Sequence, residues 1–142
     1  MRNYQSSSRQ ETMELARTLA KKLKRGSILA LTGNLGSGKT TFVKGLATGL
    51  RLKQRIQSPT FVIFRKYRLA GRPIGNFYHF DFYRLKTRAE IDDLGFAEIL
   101  AHPNNIVVIE WPELILRLLP PKTKFIHFHY GKTPSQRIIT DH

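Results

Sequence analysis

The sequence predicts an α/β fold, and three neighbouring segments indicate it. Ser27 to Thr32 (SILALT) reads as a short buried strand. Gly33 to Thr40 (GNLGSGKT) follows directly and fits the pattern G-x-x-x-x-G-K-[ST]. Apolar residues then recur at helical spacing from Thr41 to Leu50. A strand, a glycine-rich loop and a helix in this order predict a P-loop, whose backbone N–H groups surround a phosphate.

The loop pattern predicts the chemistry of its residues. The lysine of such a loop, here Lys39, neutralises phosphate, and the hydroxyl of Thr40 binds Mg²⁺. A glycine-rich turn that contains Lys-Thr by chance is the alternative, and the flanking strand and helix argue against it. The predicted nucleotide-binding residues of the loop are Gly33, Asn34, Leu35, Gly36, Ser37, Gly38, Lys39, Thr40 and Thr41.

Length and composition limit the classes of protein to consider. With 142 residues, of which 41% are hydrophobic and 24% charged, residues 1–142 are predicted to form a single globular domain. The absence of cysteine excludes disulfides and cysteine-bound metals. The N-terminus lacks the apolar core of a signal peptide, and no apolar run reaches membrane-spanning length. We therefore expect a cytoplasmic protein without membrane contact.

The charge is strongly positive and unevenly distributed. Lys and Arg number 24 against 10 Asp and Glu, giving +14, and no acidic residue occurs between Glu14 and Asp81. Such a field attracts polyanions, which include nucleotides, RNA and acidic protein surfaces. A solvated basic face is the alternative interpretation.

The segments on either side of the P-loop predict further elements. Ser8 and Glu11 form a capping box that begins a helix, with Thr12 in its first turn and Gly26 at its predicted end. Downstream, Ser58-Pro59-Thr60 is a loop because proline holds the preceding residue extended. Switch-type NTPases place a threonine that senses the γ-phosphate in such a loop, although Ser-Pro-Thr is also ordinary turn chemistry.

A β-hairpin is predicted from Phe61–Leu69 and Ile74–Tyr83, which alternate in the manner of strands. Asp81 lies in the second strand among aromatic residues, so its carboxylate needs a partner, and Mg²⁺ or Arg84 would serve.

The run Asn105 to Glu110 (NIVVIE) reads as a buried strand that ends in an acid. In P-loop folds the strand beside the P-loop strand ends with an acid near Mg²⁺, so Glu110 either lies near the metal or acts as a base. A solvent-facing glutamate is the alternative.

The C-terminal region predicts two closing strands, Phe125 to Tyr130 and Gln136 to Thr140. Arg137 is a candidate contact to the nucleotide or its phosphates, and a surface arginine is the alternative. Asp92-Asp93-Leu94-Gly95 matches the D-x-x-G of GTPases. Since Thr123-Lys124-Phe125-Ile126 lacks the aspartate of the guanine motif, guanine specificity is disfavoured.

Five motifs in order (GNLGSGKTT, SPTF, YHFDFYR, DDLGFAEIL and VIEWPE) together resemble the TsaE family of small bacterial ATPases. The resemblance implies a three-layer P-loop NTPase-like fold with a mixed β-sheet flanked by helices. It also implies ATP and Mg²⁺ as cofactors, TsaD and TsaB as partners, and a role in the threonylcarbamoyladenosine (t6A) modification of tRNA beside the anticodon.

The resemblance implies roles for individual residues. Lys39 would hold the β- and γ-phosphates, and Thr40 would bind Mg²⁺. Thr60 would be the switch threonine, and Asp81 and Glu110 the acids around the metal. Trp111 would lie next to these acids, and Thr12 near the adenine. The family loop usually reads GDLGAGKT, so Asn34 departs from it by replacing an aspartate.

We therefore expect a weak, partner-stimulated, Mg²⁺-dependent ATPase. A small-molecule kinase on a P-loop scaffold is one alternative. An ATP-regulated basic RNA-binding module, which contacts tRNA through the positive surface, is the other.

Overall fold

The computed structural model describes residues 1–59 and 62–142, and the described part contains one mixed sheet of seven strands. The strand order across the sheet is β1-β7-β6-β2-β5-β4-β3. In chain order the strands are β1 (Arg2–Ser6), β2 (Ile28–Gly33), β3 (Phe64–Arg68), β4 (Asn76–Asp81), β5 (Ile106–Glu110), β6 (Lys124–Tyr130) and β7 (Arg137–Asp141).

The four central strands, β6, β2, β5 and β4, run parallel, whereas the pairs at both edges are antiparallel. The carboxyl ends of β2, β4 and β5 therefore lie at the same end of the sheet. Leu31 of β2 pairs with Glu110, and Glu110 pairs with Asp81 of β4. This register aligns the P-loop strand with both predicted acids.

Helices cover both faces of the sheet, which confirms the three-layer α/β fold. Helices α1 (Arg9–Ala20) and α2 (Lys39–Gly49) pack on one face. The other face is covered by α3 (Arg88–Asp92), α4 (Phe96–Ala101) and the 3-10 helix Pro112–Leu118. Alternate residues of each buried strand supply the two apolar cores.

Two glycines let α1 and α2 approach closely. A Cβ at Gly45 would lie 2.7 Å from Cβ of Ala16, and a Cβ at Gly49 would lie 2.5 Å from Cβ of Ala20. Since real Cβ atoms do not approach that closely, only glycine permits this crossing. The close contact fixes α2, and with it the P-loop, against α1.

The observed bounds correct several expectations from the sequence. Helix α1 ends at Ala20 rather than at Gly26, because the chain tightens there into turns. Gly26 instead has φ +84° and donates its N–H to Asn105 O at 2.7 Å before β2 begins. The predicted hairpin is present, but its strands are shorter. The N-terminal strand β1 was not predicted at all.

Helix α2 ends in a Schellman motif that has arginine at the glycine position. Arg51 N–H donates to Thr48 O at 3.1 Å, and Leu52 N–H donates to Ala47 O at 3.0 Å. Arg51 has φ +58°, a left-handed conformation that costs a non-glycine residue about 1–2 kcal/mol. A cation near the helix C-terminus offsets part of this cost, by about 0.3–1 kcal/mol.

His127 of β6 should make the free energy of unfolding sensitive to acid. Thr32 contacts its Nδ1, and burial, with smaller contributions from His142 and His129, holds the pKa of His127 below its usual value of 6.5. The unfolded chain therefore binds the proton more readily below pH 6.5. We expect the free energy of unfolding to decrease as the pH falls below 6.5, and to decrease less in His127→Gln. Thermal denaturation from about pH 5 to pH 8, with His102→Gln as the exposed control, measures the difference.

Candidate functional site

A cavity of about 680 Å³ opens at the carboxyl ends of the parallel strands. This volume is within the range of about 300–1,000 Å³ that is typical of small-ligand sites. Its walls come from the P-loop, the start of α1, the ends of β4 and β5, and the loop before β7. The lining residues are Ser8, Arg9, Thr12, Leu35, Gly36, Gly38, Lys39, Thr40, Thr41, Asp81, Tyr83, Arg84, Glu110, Trp111, Pro134, Ser135 and Arg137.

Lys39, the first residue of α2, places its ammonium group inside the P-loop. Its Nζ donates to Gly33 O at 2.5 Å and to Asn34 O at 3.0 Å, and it lies 4.3 Å from the centroid of the Trp111 ring. The residue is 4% exposed. A buried ammonium held by carbonyl oxygens and an aromatic face is poised to bind an anion that enters the loop.

Burial lowers the pKa of Lys39, although Glu110, Asp81 and Glu113 act in the opposite direction. The three carboxylates therefore do not fully compensate for the removal of the ammonium from water. A bound phosphate would supply the missing negative charge, so its binding and protonation of Lys39 favour each other.

Glu110 connects the P-loop helix to the middle of the sheet. Thr40 Oγ1 donates to Glu110 Oε1 at 3.2 Å, with Oε2 at 3.4 Å. On the other side, His79 Nε2 lies 2.5 Å from Oε2. His79 is fully buried and Glu110 is 2% exposed, so this carboxylate has a fixed orientation rather than facing solvent. An ionised carboxylate only accepts, so His79 donates here.

Asp81 lies beside Glu110, at the same end of the parallel strands. Its Oδ1 accepts a hydrogen bond from Tyr83 N–H at 3.0 Å, and its own N–H donates to Ile63 O at 2.7 Å. Asp81 is 8% exposed and faces the cavity, as does Arg84. The rings of Tyr83 and Trp111 pack with centroids 4.8 Å apart and form an aromatic wall next to the two acids.

The opposite wall is formed by residues of β6 and β7 that contact the outer part of the P-loop. Arg137 Nη2 donates to Gly36 O at 3.2 Å, and its guanidinium lies 5.1 Å from the Tyr130 ring centroid. The Tyr130 hydroxyl donates to Leu35 O. These contacts hold Arg137 at the rim of the cavity, where the sequence analysis expected a contact to the nucleotide.

Thr12 is buried beneath the P-loop at the start of α1. Its Oγ1 lies 2.7 Å from Ser6 Oγ, and its Cγ2 lies 4.0 Å from the position of a Cβ on Gly38. Ser6 belongs to β1, so the N-terminal strand fixes the rotamer of Thr12. The structure thus places Thr12 against the loop glycine as well as in the cavity.

The structure gathers most of the site residues that the sequence nominated. Three of them do not line the cavity: Ser37 is buried, Gly33 is the last residue of β2, and Asn34 faces solvent. Thr60 lies outside the described residues. The sequence did not nominate His79, nor these residues of the cavity wall: Ser8, Arg9, Tyr83, Pro134 and Ser135. Arg84 was considered only as a partner of Asp81.

For the ATP hydrolysis that the sequence predicts, His79→Leu is expected to lower kcat about tenfold with little change in KM, because Glu110 loses the donor that orients it. It should also lower the free energy of unfolding by about 2 kcal/mol, since a buried carboxylate loses a partner. His79→Gln can retain a donor to Glu110 and should be impaired less. The substitution breaks no other side-chain hydrogen bond, because Nδ1 of His79 has no partner within residues 1–59 and 62–142. Steady-state kinetics that find both variants equally impaired would contradict the positioning role.

Comparison with known proteins agrees with the motif set. Residues 6–139 match the family model described as threonylcarbamoyl adenosine biosynthesis protein TsaE. The chain belongs to the TsaE family. The crystal structure of YdiB from Bacillus subtilis has the same fold, with a TM-score of 0.75 and 30% identity, over 99% of this chain and 83% of that chain.

Several relatives carry the name tRNA threonylcarbamoyladenosine biosynthesis protein TsaE. The Treponema pallidum protein is 37% identical over 136 residues, which cover 96% of this TsaE-family chain and 91% of that protein. The Bacillus subtilis protein is 40% identical over 111 residues, covering 78% and 66% respectively. The Rickettsia conorii protein is 42% identical over 115 residues, covering 80% and 63%. The chain thus spans about two thirds of the length of the latter two.

Within residues 1–59 and 62–142, the structure has no helix with both the length and the apolar character needed to cross a membrane.

Proposed function

We propose that this chain is a Mg²⁺-dependent ATPase that acts in the t6A modification of tRNA. One observation carries the proposal: Lys39, Thr40, Asp81 and Glu110 converge on a single cavity at the end of the P-loop. Lys39 would hold the β- and γ-phosphates, and Arg137 would contact the nucleotide from the rim. The family membership supplies the biological process, because relatives are named for t6A biosynthesis.

The donor set fits a magnesium ion that arrives with the nucleotide. The described residues contain no group of three or more His, Asp or Glu side chains that could hold a metal ion. Mg²⁺ in NTPase sites commonly takes one or two carboxylates and a hydroxyl, with phosphate oxygens and water completing the shell. Thr40, Glu110 and Asp81 offer that partial set. The ion would neutralise charge on the phosphates.

Glu110 has two proposed roles that its contacts support. Thr40 and His79 hold its carboxylate in a fixed direction, which suits either a metal-bound water or the attacking water. Thr60 is proposed as the threonine that responds to the γ-phosphate. A response of that loop would change the surface offered to TsaD or TsaB, so hydrolysis would serve a conformational cycle and its intrinsic rate would be low.

Phosphate release from ATP by the purified chain tests the enzymatic proposal. We expect slow hydrolysis that requires Mg²⁺ and stops with EDTA. Phosphate transfer to an added acceptor without net hydrolysis would establish a small-molecule kinase instead. Absence of both activities, in the presence of TsaB and TsaD as well, would overturn the ATPase.

Affinity capture from native extract with and without ATP tests the partners. Recovery of TsaD or TsaB is expected to depend on the nucleotide. Recovery of neither protein in both conditions would contradict the proposed assembly.

A further inference from the structure

A second groove lies at the end of the sheet opposite the nucleotide cavity. It has a volume of about 470 Å³ and is formed by the segment after α2 and the end of β3. Since α2 begins in the P-loop and ends at Gly49, the helix separates the two sites by about 16 Å along its axis. The lining residues are Arg51, Leu52, Lys53, Gln54, Arg68, Leu69, Ala70 and Gly71.

The groove is the centre of a band of cations, in which Arg25 is half-buried and the others are exposed. Arg51, Lys53 and Arg68 are exposed and line it directly. Arg25 extends the band, because its Nη2 donates to Ala70 O at 3.0 Å on the groove wall. Gly26 follows Arg25, and Nζ of Lys122 lies 3.4 Å from the position of a Cβ on Gly26.

Acidic residues are absent from the segment of the chain that forms this groove. The segment from Leu15 to Phe80, which supplies all of the groove lining, contains no Asp or Glu. Asp141 lies at this end of the sheet, but it belongs to β7 near the opposite edge, and its Oδ1 accepts from Arg2 N–H at 2.9 Å. None of the ion pairs described within residues 1–59 and 62–142 includes a cation of this groove.

Arg51 provides an independent indication that the cation is functional. Its left-handed backbone, with φ +58°, occupies the position of the Schellman motif that favours glycine. A side chain there imposes strain that glycine would remove, and the helix dipole offsets only part of it. An arginine occupies a position where a residue without a side chain would fit better.

We propose that this groove, together with Arg25 and Lys122, binds the phosphate backbone of tRNA. Guanidinium groups match phosphate geometry through paired N–H donors, and a row of cations suits a ligand with repeated charges. The proposal rests on the proposed function, since tRNA is the polyanion that a tRNA-modifying protein meets. The groove is separate from the P-loop, so RNA and nucleotide would not compete for the same space.

Fluorescence anisotropy with a labelled, unmodified tRNA transcript tests the proposal at several salt concentrations. We expect Arg51→Gly to bind about fivefold more weakly and to reduce the slope of log affinity against log salt by about 1. Arg51→Gly/Arg68→Gln should reduce that slope by about 2. Arg117→Gln, an exposed cation on the 3-10 helix, is the charge-matched control and should bind like the unmodified protein.

Thermal denaturation separates an effect on binding from an effect on folding. Arg51→Gly should have the melting temperature of the protein without the substitution, or one up to about 4 °C higher. Unchanged affinity and salt slope in Arg51→Gly would overturn the proposal. Equally tight, salt-dependent binding of poly-glutamate would assign the groove to an acidic protein instead, and would also overturn it.

ATP hydrolysis by the unmodified protein, measured on the same preparation, reports the proposed function separately. Hydrolysis without tRNA binding overturns only the groove. Binding of tRNA without hydrolysis, both alone and in the presence of TsaB and TsaD, overturns only the ATPase.

Discussion

Lys39→Met is expected to lower ATP hydrolysis by at least about a hundredfold, which is the usual effect of removing a principal charge-stabilising group from an active site. Methionine keeps the apolar stem beside the Trp111 ring and removes only the ammonium, which lies 4.3 Å from that ring centroid. Nucleotide binding should weaken as well, because Lys39 is the cation that the P-loop itself supplies. Phosphate release and equilibrium binding of a fluorescent ATP analogue measure the two effects.

The same substitution should leave the folded protein as stable as before, or more stable. Burial lowers the pKa of Lys39, which means that the charged form is less favourable in the nucleotide-free protein than it is in water. Removing that charge therefore removes a cost of folding at neutral pH. Lys44→Met on the same helix is the matched control, since it removes the same group outside the cavity. Comparable loss of hydrolysis in both variants would contradict the assignment.

Residues at the carboxyl ends of strands could be identified from sequence because the pattern is local. The loop from Gly33 to Thr40 has a fixed spacing, and Glu110 ends a recognisable apolar strand. Asp81 was predicted inside a strand that continues to Tyr83, whereas the structure ends that strand at Asp81. Parallel neighbours necessarily bring such ends together at one edge of the sheet. The observed pairing of Asp81 with Glu110, and of Glu110 with Leu31, is that geometry.

The contact between His79 and Glu110 depends on register, which the sequence does not contain. His79 lies two residues before Asp81, so its side chain points to the same face of the sheet. Only the alignment of β4 with β5 brings its Nε2 to 2.5 Å from Glu110 Oε2. A histidine within an aromatic strand was equally compatible with simple packing in the core.

The edge strand β1 was missed because its residues, Arg2 to Ser6, are mostly polar and show no apolar alternation. Pairing with β7 rather than burial defines it. Its consequence for the site is indirect, since Ser6 reaches Thr12 across the start of α1. The sequence analysis also missed cavity-wall residues in the loops next to β1 and β7. Pairing of β7 with β1 and with β6 brings these loops to the P-loop, and with them Ser8, Pro134 and Ser135.

Asn34 replaces the usual family aspartate at an exposed position outside the cavity. Its backbone oxygen accepts from Lys39 Nζ and from Ser37 N–H, so the described contacts of this residue with the P-loop lysine use the backbone. The geometry of the loop therefore does not depend on the side-chain charge at this position. The carboxylates that line the cavity belong to Asp81 and Glu110, not to the residue at position 34.

Glu110→Gln is expected to lower Mg²⁺-dependent hydrolysis by about a hundredfold while ATP affinity stays within about threefold. Glutamine keeps the volume of the side chain and can still accept from Thr40 or His79, so the fold is retained. What is lost is the negative charge that would face the metal or draw a proton from water. Because binding relies on the P-loop and Lys39, the effect should fall on kcat rather than on KM.

A titration of Mg²⁺ distinguishes the two roles of this carboxylate. If Glu110 contacts the metal, the Mg²⁺ concentration for half-maximal hydrolysis should increase severalfold in Glu110→Gln, whereas a base acting on water should lower kcat alone. Glu98→Gln on α4 is the exposed control with the same chemical change. Hydrolysis by Glu110→Gln within about twofold of the unmodified rate would exclude both roles, because a charge buried between Thr40 and His79 would then have no part in the reaction.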